Sequence, residues 1–219
     1  MTANETATPA HGVAAPTNPS PLVSTDAPDD TRAADIRDFL SACYGDLAGR
    51  AHYATPQGPS VSDTGKYRHQ LWKEHHLAWP EDGNRLSEII AAQALLGDVY
   101  CAPYLMHARH RTPGAVVARI LLHVDVDDEV DPQRVIDLGG FAVSSGTRGG
   151  AHIYVPLSQP ITGTQHALLE DRLRTHFAAD SKISTNDLMR PPGTLNFKPT
   201  VFAPGAPPAP VTWLVRPSG

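Results

Sequence analysis

Apolar positions change their period twice along this chain. Ile36, Phe39, Leu40, Cys43 and Leu47 recur at helical spacing, which predicts a helix stopping at Gly49. Residues 55–65 (TPQGPSVSDTG) read as a loop, and KYRHQLWKEHHLAW is too mixed in polarity to place. A second helix is expected from Asn84, with Asn84 as cap and Leu86, Ile89, Ile90 and Leu96 on one face, although Gln93 interrupts that face. The pattern then shortens: VYCAPYLM and AVVARILLHVDVD predict two strands joined by HARHRTPG. DPQRVIDL predicts a short helix. FAVS and AHIYVPL predict strands flanking the glycine-rich SSGTRGG. Thr162 and Gln165 form a capping-box pair ahead of a helix with Leu168, Leu169, Leu173 and Phe177 inside. SKISTNDLMRPPGTLNFKPT is mostly irregular and PVTWLV predicts a last strand. Mixed elements with hairpin-like pairs indicate an α+β fold with a mostly antiparallel sheet.

Composition adds boundaries. Residues 1–30 are rich in Thr, Ala, Pro, Ser and Asp, and are expected to be a disordered tail ahead of one domain over 31–215. Hydrophobic residues make up 41% of the 219, and no apolar run nears the roughly 18 residues that cross a bilayer. Cys43 and Cys101 stand far apart, outside any CxxC pair, so a reducing, cytoplasmic setting without a zinc knuckle is expected. The net charge of −5 argues at first against a nucleic-acid binder. Its distribution changes that: residues 1–38 carry six acids against two arginines, and 125–131 carry five acids in seven positions. What remains is mildly basic around an acidic hole.

That acidic hole is the first candidate site. On a strand, Asp125 and Asp127 share a face about 6.5–7 Å apart, a spacing that can flank a pair of Mg²⁺ or Mn²⁺ ions; the alternative is a solvated strand end. The second stretch is SSGTRGGAHIYV. Glycines let backbone amides approach a phosphate, Ser145 and Arg148 stand on that loop, and His152 opens the next strand; the alternative is a plain hairpin connection. In the third stretch, Asp180 offers another carboxylate, with Asp187 its competitor. Arg190, Asn196 and Lys198 lie on a segment stiffened by Pro191 and Pro192, suited to a triphosphate.

Taken in order, DVD at 125–127, SSGTRGGAHIYV with His152, and Asp180 with MRPPGTLNFK at 189–198 resemble the archaeo-eukaryotic primase superfamily. They look closest to the primase-polymerase domains of plasmid, phage and other mobile-element replication proteins. The resemblance implies an RRM-like, mostly antiparallel catalytic sheet packed with an N-terminal α/β unit. It implies template-directed nucleotidyl transfer on single-stranded DNA from an NTP or dNTP. Asp125, Asp127 and Asp180 would hold two Mg²⁺ or Mn²⁺ ions. His152, Arg190 and Lys198 would hold the triphosphate; Ser145 and Asn196 belong to the same blocks, and Arg148 is added on chemistry alone. The sequence departs from the family at Pro191, where an aliphatic residue is common, and it lacks the zinc-binding Cys/His cluster of some members. The end of the sequence soon after a strand fits an excised domain of a longer protein, with a helicase domain or replication partner elsewhere. A catalytically inert initiator module that binds DNA, and a two-metal phosphoesterase or nuclease, are the rival readings. Arg109, Arg111, Tyr67, Arg68, Trp72 and Lys73 are the candidates for holding the template, and Tyr154 for a wall beside the sugar.

Overall fold

The computed structural model describes residues 29–146, 149–179 and 184–218, with side chains from Thr31 onward. The tail expected over 1–30 therefore lies outside the described residues as far as position 28.

The first helix, α1 (Asp29–Tyr44), buries Ile36, Phe39, Leu40 and Cys43 as the spacing predicts. Its stop is Gly45, at φ +53°, not Gly49. Gly49 instead opens a strand. A Cβ there would lie 2.9 Å from Val117 Cγ2, so the residue answers to a close approach of chains.

The largest departure from expectation follows. The supposed loop and the unplaced stretch form one long hairpin, β1 (Gly49–Val61) and β2 (Tyr67–Trp79), paired antiparallel along their full 13-residue lengths. Pro56 and Pro59 disguise the first strand. They are tolerated because a third strand, β3 (Tyr100–Cys101), pairs with β1 only at Tyr53 and Ala54, leaving the distal half of β1 without a second neighbour. The order of this sheet is β2-β1-β3. Between the hairpin and β3 runs α2 (Gly83–Ala94). Its cap is Asp82, one residue before the helix, rather than Asn84, and Leu96 is 79% exposed beyond its end. The strand expected over 99–106 shrinks to those two residues of β3, because Pro103 has no N–H to give a ladder.

A second sheet follows from β4 (Arg119–Val126), α3 (Pro132–Asp137), β5 (Phe141–Ser144), β6 (Ala151–Ile161), α4 (Gly163–Phe177) and, later, β9 (Trp213–Val215). The β-α-β-β-α succession, with the third strand between the first two, is that of RRM-like and ferredoxin-like units, while the last strand pairs with β5 where theirs would pair with the strand equivalent to β4. The strands lie β4-β6-β5-β9, every pair antiparallel, with β9 on the outer side of β5. The capping box on α4 is present, but Leu168 is 54% exposed; His166 and Glu170 are buried in its place. Two small strands, β7 (Leu195–Asn196) and β8 (Ala209–Pro210), and a one-turn helix, α5 (Lys198–Phe202), complete the irregular region.

The four-stranded sheet is covered on both faces. Leu122, Val124, Ala142 and Ile153 pack toward Leu173 and Phe177 of α4. The opposite face puts Leu121, Phe141 and Tyr154 against α1, in one core shared with the three-stranded unit. Phe39 meets the Tyr154 ring edge-on at 5.3 Å and Phe141 at 6.4 Å. Tyr154 is fully buried there, which removes it as a wall for a sugar. The α+β architecture, with an antiparallel sheet beside an N-terminal α/β unit, is the one expected.

Candidate active site

Asp125 lies near the end of β4, opposite His152 of β6. Strand alternation puts Asp125, His123 and Leu121 on one face. His152 Nε2 is 3.5 Å from Asp125 Oδ1. Burial, followed by the positive charge of Arg190 and His123, depresses the His152 imidazole to about 3, against a weaker pull from the Arg190 backbone. It is therefore neutral at pH 7, and a proton on Nε2 would face the carboxylate. The Asp125 side chain is 44% exposed, and Asp127 stands in solvent one residue past the strand. Hard carboxylate oxygens open to water suit Mg²⁺ or Mn²⁺. The fit is incomplete: among the described residues no group of three His, Cys, Asp or Glu side chains is arranged to hold a metal ion, and Asp180 lies outside them, as does Arg148.

Asp187 is brought toward the acid-bearing face. Its Oδ2 accepts from Ser184 N (2.8 Å) and lies 3.3 Å from Nε2 of His123, two positions before Asp125. His123 is buried and also meets Glu170 Oε1 at 3.3 Å through Nδ1. Burial alone would lower its pKa. The hydrogen bonds and charges of Asp187 and Glu170 outweigh that and push it up to about 9. The Tyr104 hydroxyl, 3.0 Å from His123 Nδ1 and from His166 Nε2, closes this buried network.

The Arg-Pro-Pro-Gly segment is built as a stiff strap. Cys101 and Met189 exchange backbone hydrogen bonds (2.7 and 2.9 Å), and Arg32 Nη1 donates to Gly193 O (3.2 Å). Arg190 is 9% exposed. Its Nε and Nη2 lie 3.0 and 2.9 Å from Asp98 Oδ1, and its guanidinium stacks 4.4 Å from the Tyr100 ring centre, donating to that hydroxyl as well. Asp98 is the hub. It also accepts from the Tyr67 hydroxyl (2.5 Å) and from Phe197 N (3.2 Å), and meets His69 Nε2 at 3.1 Å. Burial raises the Asp98 carboxyl, yet Arg190 and these donors together hold it below its usual value.

Arg190 and Lys198 line one cleft of about 430 Å³ with Lys66, Tyr67, Tyr100 and Phe202. Three cations around one opening suit a polyanion. Asn196 is different. It is 1% exposed, its Nδ2 donates to Ser145 O (2.8 Å), and its Oδ1 accepts from Lys198 N (2.9 Å). The structure gives it a positioning part, joining the loop after β5 to the lysine, rather than a direct contact. Gly146, at φ +72°, makes room for that clamp: a Cβ there would lie 2.7 Å from Asn196 Cβ.

No family model and no curated protein matches the chain. Solved structures do. The crystal structure of primase RepB' matches with a TM-score of 0.54 at 15% identity, over 83% of this chain and 55% of that one, so the chain spans about half the length of that protein. The catalytic domain of primase Repb' in complex with initiator DNA gives 0.52 at 15% identity, over 84% of each chain. The fold is that of a primase catalytic domain.

Within this primase fold, sequence reading missed the residues that support others, Asp98, Tyr100 and Glu170, and one cation of the cleft, Lys66. Asp98 carried one faint signal, a lone acid between LLG and VY in an apolar run. Of the template candidates, Trp72 keeps 46% of its surface exposed and Arg109 is exposed, whereas Arg111 is bonded to Glu74 and Asn186.

Proposed function

We propose that this chain is a template-directed nucleotidyltransferase, a DNA primase or polymerase that adds nucleotides to a 3′-hydroxyl on single-stranded DNA. One observation carries the reading. In a primase fold, an exposed carboxylate on β4 faces a neutral histidine on β6, while a separate cleft gathers Lys66, Arg190 and Lys198.

Asp125 and Asp127, with Asp180, would hold divalent cations. When bound, such ions stabilise charge on the attacking and leaving oxygens. The protein's own groups do the rest. Lys198 and Lys66 supply mobile positive charge at the cleft mouth, and Arg190, fixed by Asp98, offers a preset one at its wall. Neutral His152 can donate one proton to Asp125 without adding charge beside the acids. Ser145 and the backbone after β5 are held against the strap by Asn196.

The test is primer synthesis and primer extension on single-stranded DNA with Mg²⁺ or Mn²⁺ and labelled NTPs or dNTPs, beside Asp125→Ala/Asp127→Ala. Product that disappears in the folded variant is expected. Product made equally by the variant would overturn the reading. Metal-dependent loss of labelled DNA without nucleotide would point to a nuclease, and DNA binding without product to an inert initiator module.

A further inference from the structure

The cationic cleft and the acids leave one charged region unused. The loop that follows Met106 folds over the even-numbered face of the hairpin. His52 Nε2 lies 3.2 Å from Ala108 O, and Arg111 Nη2 donates to Glu74 Oε1 at 2.9 Å. Beneath it, His52 and His76 are cross-strand partners with ring centres 5.4 Å apart, and Arg50 Nη1 lies 3.3 Å from His76 Nδ1. Burial and then the charges of Arg50, Arg109 and His110 all lower the His76 pKa, so these cations converge on one spot. Around the outer edge of β2 runs a groove of about 580 Å³, lined by Arg50, Glu74 and His76 from one face of the hairpin and by Tyr53, His75 and Arg85 from the other, with Asp82 beside them. Tyr53 and His75 are stacked in it at 4.8 Å.

Few acids oppose this charge. Glu74 is engaged by Arg111, and Asp82 Oδ2 accepts from Ala78 N at 3.3 Å. Four arginines (50, 85, 109 and 111) thus face two carboxylates, in a chain whose net charge is −5. Such a concentration suits an anionic partner. The region also leads somewhere. Arg111 Nη1 donates to Asn186 Oδ1 at 2.9 Å, the next residue is Asp187, and Asp187 meets His123, two positions from Asp125. Contacts thus run from the basic edge as far as His123, on the same strand as Asp125.

We propose that the outer edge of β2, with Arg85 on one side of the hairpin and Arg50, His76, Arg109 and Arg111 on the other, is the seat of the phosphate backbone of single-stranded DNA, which it leads toward Asp125. Arginines grip the phosphates, and the half-buried His75 ring, backed by buried Tyr53, offers a surface to a base. The direction toward Asp125 rests on the nucleotidyl-transfer reading; the binding does not.

The test is fluorescence anisotropy of the full chain with a 5′-labelled 20-residue oligothymidylate from 50 to 200 mM salt. Arg85 and Arg109 are both exposed, so Arg85→Ala/Arg109→Ala should fold, with an unchanged melting temperature as the check. Its Kd is expected to rise about tenfold or more, and the slope of log K against log[salt] to flatten by about 1.4, at roughly 0.7 per lost phosphate contact. Arg85→Lys/Arg109→Lys should restore the slope. An unchanged Kd and slope, or no binding of the oligonucleotide by the unaltered chain, would overturn the proposal. Salt-sensitive binding with no nucleotide transfer under any condition would overturn the proposed reaction and leave this edge standing.

Discussion

Removing the Asp98 carboxylate should be among the most damaging single changes to this protein. The side chain is 2% exposed and is met by Arg190 Nε and Nη2, the Tyr67 hydroxyl, His69 Nε2 and Phe197 N, all within 3.2 Å. In Asp98→Ala the Arg190 guanidinium, only 10% exposed, keeps its charge and loses its counter-charge. A buried pair broken on one side costs about 3–5 kcal/mol, and the stranded Phe197 N–H belongs to the same loss. Against a typical total of about 5–15 kcal/mol, that is a large fraction. For a domain of this size it lowers Tm by roughly 6–20 °C. Urea unfolding should show a lower midpoint with an unchanged slope. Arg190→Met added to Asp98→Ala should recover about 1–3 kcal/mol, because no unpaired charge then stays buried. The sign with pH also follows. The folded carboxyl titrates below its unfolded value of about 3.9, so its stabilisation is present above that value and lost as pH falls through the folded one. Asp98→Asn should therefore flatten the loss of stability below pH 4. A cost under about 1 kcal/mol for Asp98→Ala, or strictly additive costs for the pair, would refute this account of the hub.

Other changes should discriminate between parts of the site. Gly146→Ala puts a Cβ at φ +72° and 2.7 Å from Asn196, whereas Gly65→Ala meets nothing within 4 Å at φ +73°; the first should cost at least about 1 kcal/mol more in thermal unfolding, since both share the backbone strain. Glu170→Ala removes one of the two carboxylates that keep buried His123 charged and should cost about 3 kcal/mol, read by urea unfolding at pH 7. Asn196→Ala should raise the KM for nucleotide severalfold in primer extension while a CD spectrum stays native, because it frees Lys198 and the loop after β5 from each other. Oligothymidylate binding should tighten as pH falls from 8 to 6. Burial first, then the charges of Arg50, Arg109, Arg111 and His110, lower the pKa of His52 and His76, against backbone hydrogen bonds (Ala108 for His52) and Glu74, so an arriving phosphate favours their protonated form; titration of Kd against pH reads this directly.

What the sequence made legible was local. The box of Thr162 and Gln165, the short helix of DPQRVIDL and the apolar runs of β5 and β6 depend on neighbours a few residues away. The long hairpin did not show, because the middle of β2, residues 70–74, faces water on both sides and offers no alternation to read. Its order comes from cross-strand pairing and from distant partners such as Asp98 and Ala108. The chemistry-bearing residues were recognisable by type and order. Their division of labour was not: Arg190 is committed to a carboxylate 92 positions earlier, and Asn196 to a carbonyl 51 positions earlier. Tyr154 looked like a pocket wall only because burial in a shared core cannot be read from a strand segment alone.

The shared aromatic core carries a mechanical consequence. The strap with Arg190 and Lys198 is stitched to the three-stranded unit through Cys101 and Arg32, whereas Asp125 and His152 ride on the other sheet. Phe39 of α1, wedged against Phe141 and Tyr154, is the weld between these two carriers. On the proposed reading, the alignment of a bound phosphate with the acids would be a property of this buried aromatic joint, which itself makes no contact with the acids. A void opened there would act like play in a machinist's jig. Both tools would stay sharp, and the workpiece would sit off the line of the cut, where a displacement of about 1 Å is enough to cost on the order of a hundredfold in rate.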